Sequence, residues 1–591
     1  MRNKLFWVLL GLVFLYGCQG PSSQDSKEIK QPDEPIQIQP ERTVIEPRPV
    51  LDLAQDSEAK NPANVQEQVL EEVLVTAAKQ GKPMGNLNRR LAAVSPAHVA
   101  HYQMPAYQDY GRDQYQKFTD NGWQWSESSP VSTFAVDVDT ASYTNLRRSL
   151  SDGYLPPGDA IRVEEFVNYF DYQYPAPADA HPFGIYQEFG PSPWNKNHRL
   201  LHIGINTTPP ASVKDLPPAN LVFLVDVSGS MQAPNKLHLL KRALKMLTRQ
   251  MRAEDRIAMV VYAGAAGTVL ESTAGDEKAK ILAAIDKLQA GGSTNGAAGI
   301  HLAYQLAEQH KIEHGINRVL LATDGDFNVG TTGTDQLEDL VEQKRKSGVA
   351  LTVLGFGSGN LNDHMMQKIA QIGDGNAAYI DTMHEARKVL VDEIGATLNI
   401  VARDVKIQVE FNPAVIAGYR LVGYETRHLN REDFNNDKVD AGEVGEGHSV
   451  TAIYEVVMVG DQTNIIDPLR YADSKPGQNA EEPTSEAAYV KVRYKTEHGG
   501  ASKLVTQVVS SDSMQPELDK TSSTYRFSGA VAWFAQLLRN GEAVQNHNWK
   551  DLLALAESAK GMDQMGYRSE FLKLVRTAES LQPGDTAASG R

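Results

Sequence analysis

The middle of the chain alternates between short, continuously apolar segments and amphipathic ones. Apolar runs typical of buried strands occur at Leu221–Val225, Ile257–Tyr262, Val319–Ala322 and Leu351–Phe356. Segments with a helical period lie between them, for example Leu237–Met251. Strands without a polar face that alternate with helices indicate a mainly parallel sheet with helices on both faces. We therefore expect an α/β, doubly wound domain over residues 219–398.

Oxygen-bearing side chains stand in three loops of this region. The first apolar run leads into Asp226, Ser228 and Ser230. Farther along, Thr294 lies in the loop "GGSTNG" and Asp324 follows a later strand. Ligands of open α/β sheets bind at the carboxyl ends of the strands, and hard oxygen donors suit Mg²⁺ better than zinc or copper. The sequence therefore predicts a magnesium site, although the first three residues alone would also fit a helix N-cap.

This set of five residues resembles the metal-ion-dependent adhesion site of the von Willebrand factor type A family, in order and in loop placement. The resemblance implies a Rossmann-like fold in which Ser228 and Ser230 ligate Mg²⁺, or Mn²⁺, directly. It implies that Thr294 and Asp324 bind directly or through water. Asp226 would hold the serines and waters. One coordination position would remain for an Asp or Glu of a protein partner.

The N-terminus has the features of an export signal. An apolar run at Leu5–Tyr16 is short for a membrane span and follows Arg2 and Lys4. The only cysteine, Cys18, comes next, so residues 1–18 resemble a bacterial lipoprotein signal peptide that ends at a lipidated cysteine. A chance cysteine after a plain signal, or an uncleaved anchor, is the alternative. By the same resemblance, Gln19 favours the outer membrane, facing the periplasm.

Residues 19–117 form a predicted flexible tether, since they are rich in Gln, Pro, Glu, Ser and Asn. Such a composition cannot bury enough apolar surface to offset chain entropy. A random coil of about 100 residues has an r.m.s. end-to-end distance of about 50–60 Å. The tether would therefore let the folded domains act at a distance from the membrane anchor.

Two further regions flank the A domain, at residues 118–206 and 400–585. The second has period-two runs such as "VKIQVEF" and then amphipathic helices at its end. Both flanks resemble those of a group of bacterial A-domain lipoproteins. Because the ends of a domain lie close together, we predict that the A domain is inserted into a β-rich flanking unit, in which Arg199–Asn206 pairs with strands after Ile400.

A second metal candidate lies in the acidic stretch 431–448. Asp433, Asn435 and Asp437 have calcium-loop spacing, but Lys438 and Val444 stand where an EF-hand has glycine and glutamate. A solvated turn is the favoured interpretation, and weak Ca²⁺ binding near Asp433–Asp437 is the alternative.

The composition also excludes some functions. The net charge of -16, without a basic patch, disfavours nucleic acid as a partner. The chain lacks a Gly-x-Ser-x-Gly elbow, a His-Glu-x-x-His motif and a phosphate-binding loop, so we expect no enzyme. The sequence predicts a lipid-anchored cell-envelope binding protein that uses Mg²⁺ to engage an acidic side chain of an unidentified protein. An assembly scaffold with a structural metal, or a metal-dependent hydrolase, is the alternative.

Overall fold

The computed structural model describes residues 113–582, apart from 137–138, 178–180, 211, 294–295, 326–333, 358–360, 440, 462–484, 498–499, 540–543 and 545–547. The predicted signal peptide, Cys18, almost all of the tether and Thr294 therefore lie outside the described residues. All described residues belong to one unit, 105–591.

Strands and helices fall into three groups along the chain. The first group precedes the A domain and comprises β1 (Gln124–Trp125), β2 (Val131–Ala135), α1 (Ala141–Ser151), α2 (Val163–Val167), β3 (Phe183–Pro191) and β4 (Arg199–Thr207). The A domain comprises β5 (Ala219–Asp226), α3 (Leu237–Gln250), β6 (Arg256–Tyr262), β7 (Ala266–Ala274), α4 (Lys278–Lys287), α5 (Gly296–Gln309), β8 (Ile316–Thr323), α6 (Thr334–Arg345), β9 (Ala350–Phe356), α7 (Asp363–Ile372), β10 (Ala377–Ile380), α8 (Met383–Arg387) and α9 (Ile394–Leu398). The last group comprises β11 (Ile400–Phe411), β12 (Ile416–Val422), β13 (Gly442–Gly445), β14 (Ser449–Met458), β15 (Glu486–Lys495), β16 (Lys503–Ser510), α10 (Ser523–Leu538), α11 (Trp549–Ser558) and α12 (Tyr567–Leu581).

The A domain is built on a six-stranded sheet with the order β10-β9-β8-β5-β6-β7. All pairs are parallel except β6 with β7. Along β5, Phe223 faces the core shared with α3, whereas Leu224 faces the core shared with α5. Helices therefore cover both faces, and the predicted doubly wound α/β fold class is confirmed.

Strands from both flanks pair with each other. In one sheet, with the order β1-β12-β14-β4-β3, strand β4 pairs with β14 so that Ile205 stands opposite Val450. In a second sheet, β2 from the first group pairs with β11 from the last. The two sheets share an apolar core that includes Phe134 and Val409. The A domain is thus inserted into a β-rich unit, as predicted.

Helices α1, α2 and α10–α12 cover the outer face of the first sheet. Leu200 and Ile453 on that face pack into a core with Trp533 and Phe571. This third layer explains why nearly every residue of β4 and β14 is buried. Both faces of β14 are covered, since Ala452 lies in the core between the two sheets and Ile453 lies in the core beneath the helices.

Ion pairs join the A domain to the flanks. Arg147 on α1 is buried, and its guanidinium lies 2.5 Å from Asp381 and 2.8 Å from Glu385 of the A domain. The same guanidinium lies 2.9 Å from Glu570 on α12. Buried charges of this kind are costly to separate. We therefore infer that the A domain is held in a defined position against both flanks.

Candidate metal-ion site

Asp226 ends strand β5 with a fully buried carboxylate. Its Oδ1 accepts the backbone N–H of Ser228 at 2.8 Å, and its Oδ2 accepts the hydroxyl of Tyr262 at 3.2 Å. A side-chain oxygen that accepts the N–H two residues later closes a local turn. The Asp226 carboxylate therefore fixes the loop that carries both serines.

The two serine hydroxyls lie side by side. Ser228 Oγ and Ser230 Oγ are 2.9 Å apart, and Ser228 is buried whereas Ser230 is exposed. Ser228 stands at the N-cap of a short 3-10 helix, Gly229–Gln232, but its side chain makes no capping hydrogen bond. The N-cap interpretation of the motif therefore lacks its defining contact. The hydroxyl pair points instead to a ligand approached from the solvent side.

A glycine loop packs against the serine loop. The N–H of Gly229 donates to the carbonyl of Gly292 at 3.0 Å, and the N–H of Gly291 donates to the carbonyl of Val227 at 2.7 Å. Gly292 has a φ of 93°, a left-handed conformation that favours glycine. Gly291 and Gly292 therefore lie against the serine loop, and Thr294 lies outside the described residues.

Asp324 follows β8 directly and is 1 % exposed. Because Val225 of β5 stands opposite Ala322 of β8, the two acidic residues leave neighbouring strands at the same edge. Asp324 Oδ2 accepts a hydrogen bond from Lys236 Nζ at 2.8 Å. Within the described ranges, Asp324 Oδ1 is buried and has no hydrogen-bond partner. The site thus contains one buried anionic oxygen that needs a cation or water.

Lys236 is a site residue that the sequence analysis missed. It immediately precedes α3, and its side chain is only 9 % exposed. The aliphatic stem crosses Gly357, which has a φ of 82°, and a Cβ built at Gly357 would lie 2.3 Å from Lys236 Cε. A lysine at a helix start is the only local signal for this contact, since Gly357 and Asp324 are far away in the chain.

The electrostatics of the site favour a cation. Burial raises the pKa of Asp226 to about 6, and the charge of Asp324 adds to the increase, while hydrogen bonds from Ser228 oppose it. Two buried carboxylates near each other are unfavourable unless positive charge is supplied. Their only hydrogen-bonded cation among the described residues is Lys236. The donor set therefore fits a hard divalent ion.

The choice of ion follows from the donors. Within the described part of the chain, no group of three or more His, Cys, Asp or Glu side chains is placed to hold a metal. An ion here would depend on two carboxylates, hydroxyls and water. Such oxygen ligands suit Mg²⁺ or Mn²⁺ and lack the nitrogen or sulfur donors of typical zinc sites.

The second metal candidate is occupied by protein contacts. Asp433 Oδ2 accepts hydrogen bonds from the backbone and side chain of Asn430 at 3.0 and 2.9 Å. Arg493 donates to Asn435 at 3.2 Å and to Asp437 at 2.9 Å. A guanidinium therefore lies where calcium would need these oxygens. The geometry favours the turn over weak Ca²⁺ binding.

Among residues 113–582, outside the gaps given above, none of the helices combines the length and the hydropathy needed for a membrane crossing. Cys18, like Thr294, lies outside the described residues.

Three family models match the chain. The model of the von Willebrand factor type A domain matches residues 220–392. A model described as von Willebrand factor matches residues 109–202. A model described as "Uncharacterized protein YfbK, C-terminal" matches residues 396–581. The matches therefore cover the A domain and both flanks.

Individual proteins show similarity of different extent. Protein YfbK of Escherichia coli (strain K12) is 45% identical over 479 residues, which is 80% of this chain and 82% of YfbK. Inter-alpha-trypsin inhibitor heavy chain H3 of Homo sapiens is 30% identical over 171 residues, or 28% of this chain and 19% of the heavy chain. The solved structure "von Willebrand factor type A from Catenulispora acidiphila" is 16% identical, covers 67% of this chain and 88% of that chain, and has a TM-score of 0.39. The similarity to YfbK therefore extends well beyond the A domain.

Proposed function

The chain belongs to the family of Escherichia coli YfbK and contains a von Willebrand factor type A domain, and on that premise we propose that it is a lipid-anchored binding protein of the bacterial cell envelope. Domains of this type generally mediate protein–protein interactions. In the proposal, Mg²⁺ or Mn²⁺ is held by Asp226, Ser228, Ser230, Thr294 and Asp324. The ion takes an Asp or Glu side chain of a partner protein as its remaining ligand.

The buried Oδ1 of Asp324 is the observation that carries the proposal. Among the described residues it has no hydrogen-bond partner. Leaving a buried polar atom without a hydrogen-bond partner costs about 1–3 kcal/mol, and the cost is larger for a charged group. A metal ion, directly or through one of its waters, removes that cost. The neighbouring hydroxyl pair of Ser228 and Ser230 supplies further hard donors.

Charge explains why the ion would attract an acidic ligand. Two carboxylates, Asp226 and Asp324, would balance a divalent ion in number. However, Lys236 already donates to Asp324 and offsets part of its negative charge. The centre would therefore stay net positive when the ion is bound, and an incoming Asp or Glu would be favoured. Ser230 is exposed, which leaves a solvent-facing approach for that side chain.

The two alternative functions require different groups. A hydrolase would need a general base beside the ion. The groups that hydrogen-bond to the described ligands belong to Ser228, Ser230, Tyr262 and Lys236, and none is histidine or glutamate. A scaffold with a structural metal would need the ion for folding rather than for partner capture. Stability and capture must therefore be measured on the same variants.

The anchor is a separate part of the proposal. Cys18 after an apolar run supports a lipidated protein of the outer membrane that faces the periplasm. The tether predicted at residues 19–117 would be a few residues shorter, because Asp113 already forms an ion pair with Arg148 at 2.7 Å. The test is Cys18→Ser, which should move the protein from the membrane fraction to the soluble periplasmic fraction. An unchanged membrane fraction would contradict lipidation at this cysteine.

The adhesion site is tested by capture of envelope proteins on the immobilised full-length chain. Proteins should bind in Mg²⁺, elute in EDTA and bind again when Mg²⁺ is restored. Ser228→Ala should lose both this capture and calorimetric Mg²⁺ binding. Ser580→Ala is the control, because Ser580 is an exposed serine at the end of α12.

Three results would contradict the proposal. Capture that persists in EDTA would show that the metal is not the contact. Loss of capture together with unfolding in EDTA would favour the scaffold. Metal-dependent turnover of a captured protein would favour the hydrolase.

A further inference from the structure

A cavity of about 290 Å³ lies at the opposite edge of the A-domain sheet from the metal site, where β8 and β9 begin. Three arginines from different elements line it: Arg318 in β8, Arg345 at the end of α6 and Arg403 in β11. Among the described residues that line this cavity, only Asp374 has a carboxylate. The wall of the cavity therefore carries an excess of positive charge.

Arg318 carries a buried guanidinium in the wall of the cavity. It is 1 % exposed, and it donates to Thr352 Oγ1 at 2.6 Å and to the carbonyl of Leu398 at 3.4 Å. Within the described residues, its Nε is buried and has no hydrogen-bond partner, and no carboxylate lies within 4.0 Å of it. Burial lowers the pKa of Arg318 to about 10, and the charge of Arg403 adds to the effect. This guanidinium is thus incompletely compensated.

The other two arginines share their carboxylates. Arg345 donates to Asp374 Oδ1 at 3.1 Å, and Arg403 donates to Asp374 Oδ2 at 3.3 Å. Glu443 lies 4.0 Å from Arg403. Asp374 has a φ of 52°, a conformation that is uncommon outside glycine, and it places the carboxylate between the two arginines. Two guanidinium groups therefore share Asp374, whereas Arg318 has no carboxylate within 4.0 Å among the described residues.

We propose that this cavity binds a small tetrahedral oxyanion of the phosphate class, held by Arg318, Arg345 and Arg403. Guanidinium groups bind phosphate through paired N–H donors, so a planar fork matches this ligand better than a point charge does. The anion would supply the negatively charged partner that Arg318 lacks among the described residues. The ligand could be free phosphate or a phosphomonoester, and both present the same group to the arginines.

The location gives the anion a structural effect. Leu398, Asn399 and Ile400 line the same cavity, and they form the junction between the A domain and β11. Arg318 already contacts the carbonyl of Leu398. An anion that bridges Arg318 and Arg403 would join the A domain to the flanking sheet. Its binding should therefore stabilise the folded chain.

The experiment uses the full-length chain in a buffer without phosphate or sulfate and with EDTA, so that phosphate cannot act through a divalent metal. Thermal unfolding and calorimetric titration are followed with inorganic phosphate and with glycerol 3-phosphate. Sodium chloride keeps the ionic strength constant. We expect a saturable rise in Tm, because the ligand binds only the folded state.

Arg403→Gln should weaken phosphate binding by roughly tenfold or more, since a charge-assisted contact is lost. Arg403 is the primary variant because Arg318→Gln, at a buried position, is at risk of misfolding. Arg249→Gln is the matched control, since Arg249 is exposed at the end of α3.

Tighter binding of glycerol 3-phosphate would assign the site to phosphomonoesters, and tighter binding of inorganic phosphate would assign it to the free ion. Both results support the proposal. The proposal would be overturned if phosphate raised Tm no more than chloride does. It would also be overturned if Arg403→Gln and Arg249→Gln lost phosphate affinity equally.

Discussion

The Lys236 ammonium donates a 2.8 Å hydrogen bond to Asp324 in the candidate metal site. A lysine of the chain itself therefore occupies one oxygen of a predicted metal ligand. The contact neutralises a buried carboxylate in the metal-free protein. It also leaves only the other oxygen of Asp324 available to an ion.

Lys236→Met should have opposite effects on stability and on metal binding. Without the ammonium, the buried Asp324 charge is uncompensated, so the metal-free protein should lose about 3–5 kcal/mol of unfolding free energy. Mg²⁺ should bind more tightly, because it no longer competes with the lysine. Denaturant unfolding with and without Mg²⁺, together with calorimetry, measures both quantities.

The control for this variant is Lys245→Met in α3, the helix that Lys236 precedes. Lys245 pairs with Asp286 at the surface, where ion pairs contribute little to stability. The control should therefore leave both quantities nearly unchanged. If Lys236→Met keeps the native stability and Mg²⁺ affinity, the ion pair between Lys236 and Asp324 neither stabilises the protein nor competes with Mg²⁺.

Gly357→Ala should destabilise the protein through Lys236. Alanine at the positive φ of Gly357 costs about 1–2 kcal/mol by itself, and its Cβ would also displace the lysine stem. Shortening the lysine removes the second cost. In a double-mutant cycle, Gly357→Ala should therefore cost less in a Lys236→Ala background. Additive free energies would show that the two residues do not interact.

Asp226→Asn should separate folding from metal binding. The asparagine keeps an oxygen for the Ser228 N–H but removes a buried charge near Asp324. In EDTA the variant should therefore be at least as stable as the native protein. Its Mg²⁺ affinity should fall roughly 10–100-fold, as for other residues that orient metal ligands.

Asp276→Asn, at an exposed position of the same domain, serves as the control for Asp226→Asn. Calorimetry and denaturant unfolding in EDTA test both variants. Native Mg²⁺ affinity in Asp226→Asn would contradict the role given to this carboxylate.

Stability should fall in acid because of a buried histidine. His202 lies 2.7 Å from the Tyr174 hydroxyl and 2.9 Å from Ser528 Oγ, and burial lowers its pKa to about 3. The unfolded chain binds this proton near pH 6.5, whereas the folded chain does not. The free energy of unfolding should therefore decrease as the pH falls from about 6.5 toward 3, by up to about 1.4 kcal/mol per pH unit.

His202→Gln should flatten this pH dependence by about one proton, even if the variant is less stable overall. His314→Gln is the control, because the His314 side chain is 94% exposed. Urea unfolding at several pH values measures the slope. Equal slopes in the native protein and His202→Gln would show that His202 does not cause the acid sensitivity.

The fold class is predictable from the sequence because it depends on local patterns. The apolar run Leu221–Val225 lies within strand β5, Ala219–Asp226, and the helix predicted from Leu237 begins at that residue. Strand β7, Ala266–Ala274, was missed because this antiparallel edge strand is mostly half-exposed and carries Glu, Ser and Thr. Edge strands give weak hydrophobic signals.

Only part of the candidate site is predictable from the sequence. Asp226, Ser228 and Ser230 are adjacent in the chain, so their spacing reveals them. The contact of Lys236 with Asp324 depends on a cleared space at Gly357, which only the packing of three loops creates. The metal-binding roles of Asp226, Ser228, Ser230, Thr294 and Asp324 stay predictions, as does the lipidation of Cys18.

The pairing of β4 with β14 has a consequence for biosynthesis. The whole A domain is translated between these two neighbouring strands. Strands β3 and β4 can pair with each other early, but the second edge of β4 stays unpaired until β14 is made, and such open edges are prone to aggregate. The A domain, whose strands are contiguous, can complete its own sheet first. We therefore expect folding of the flanking unit to depend on a chaperone that shields the open edge of β4 until the late strands arrive.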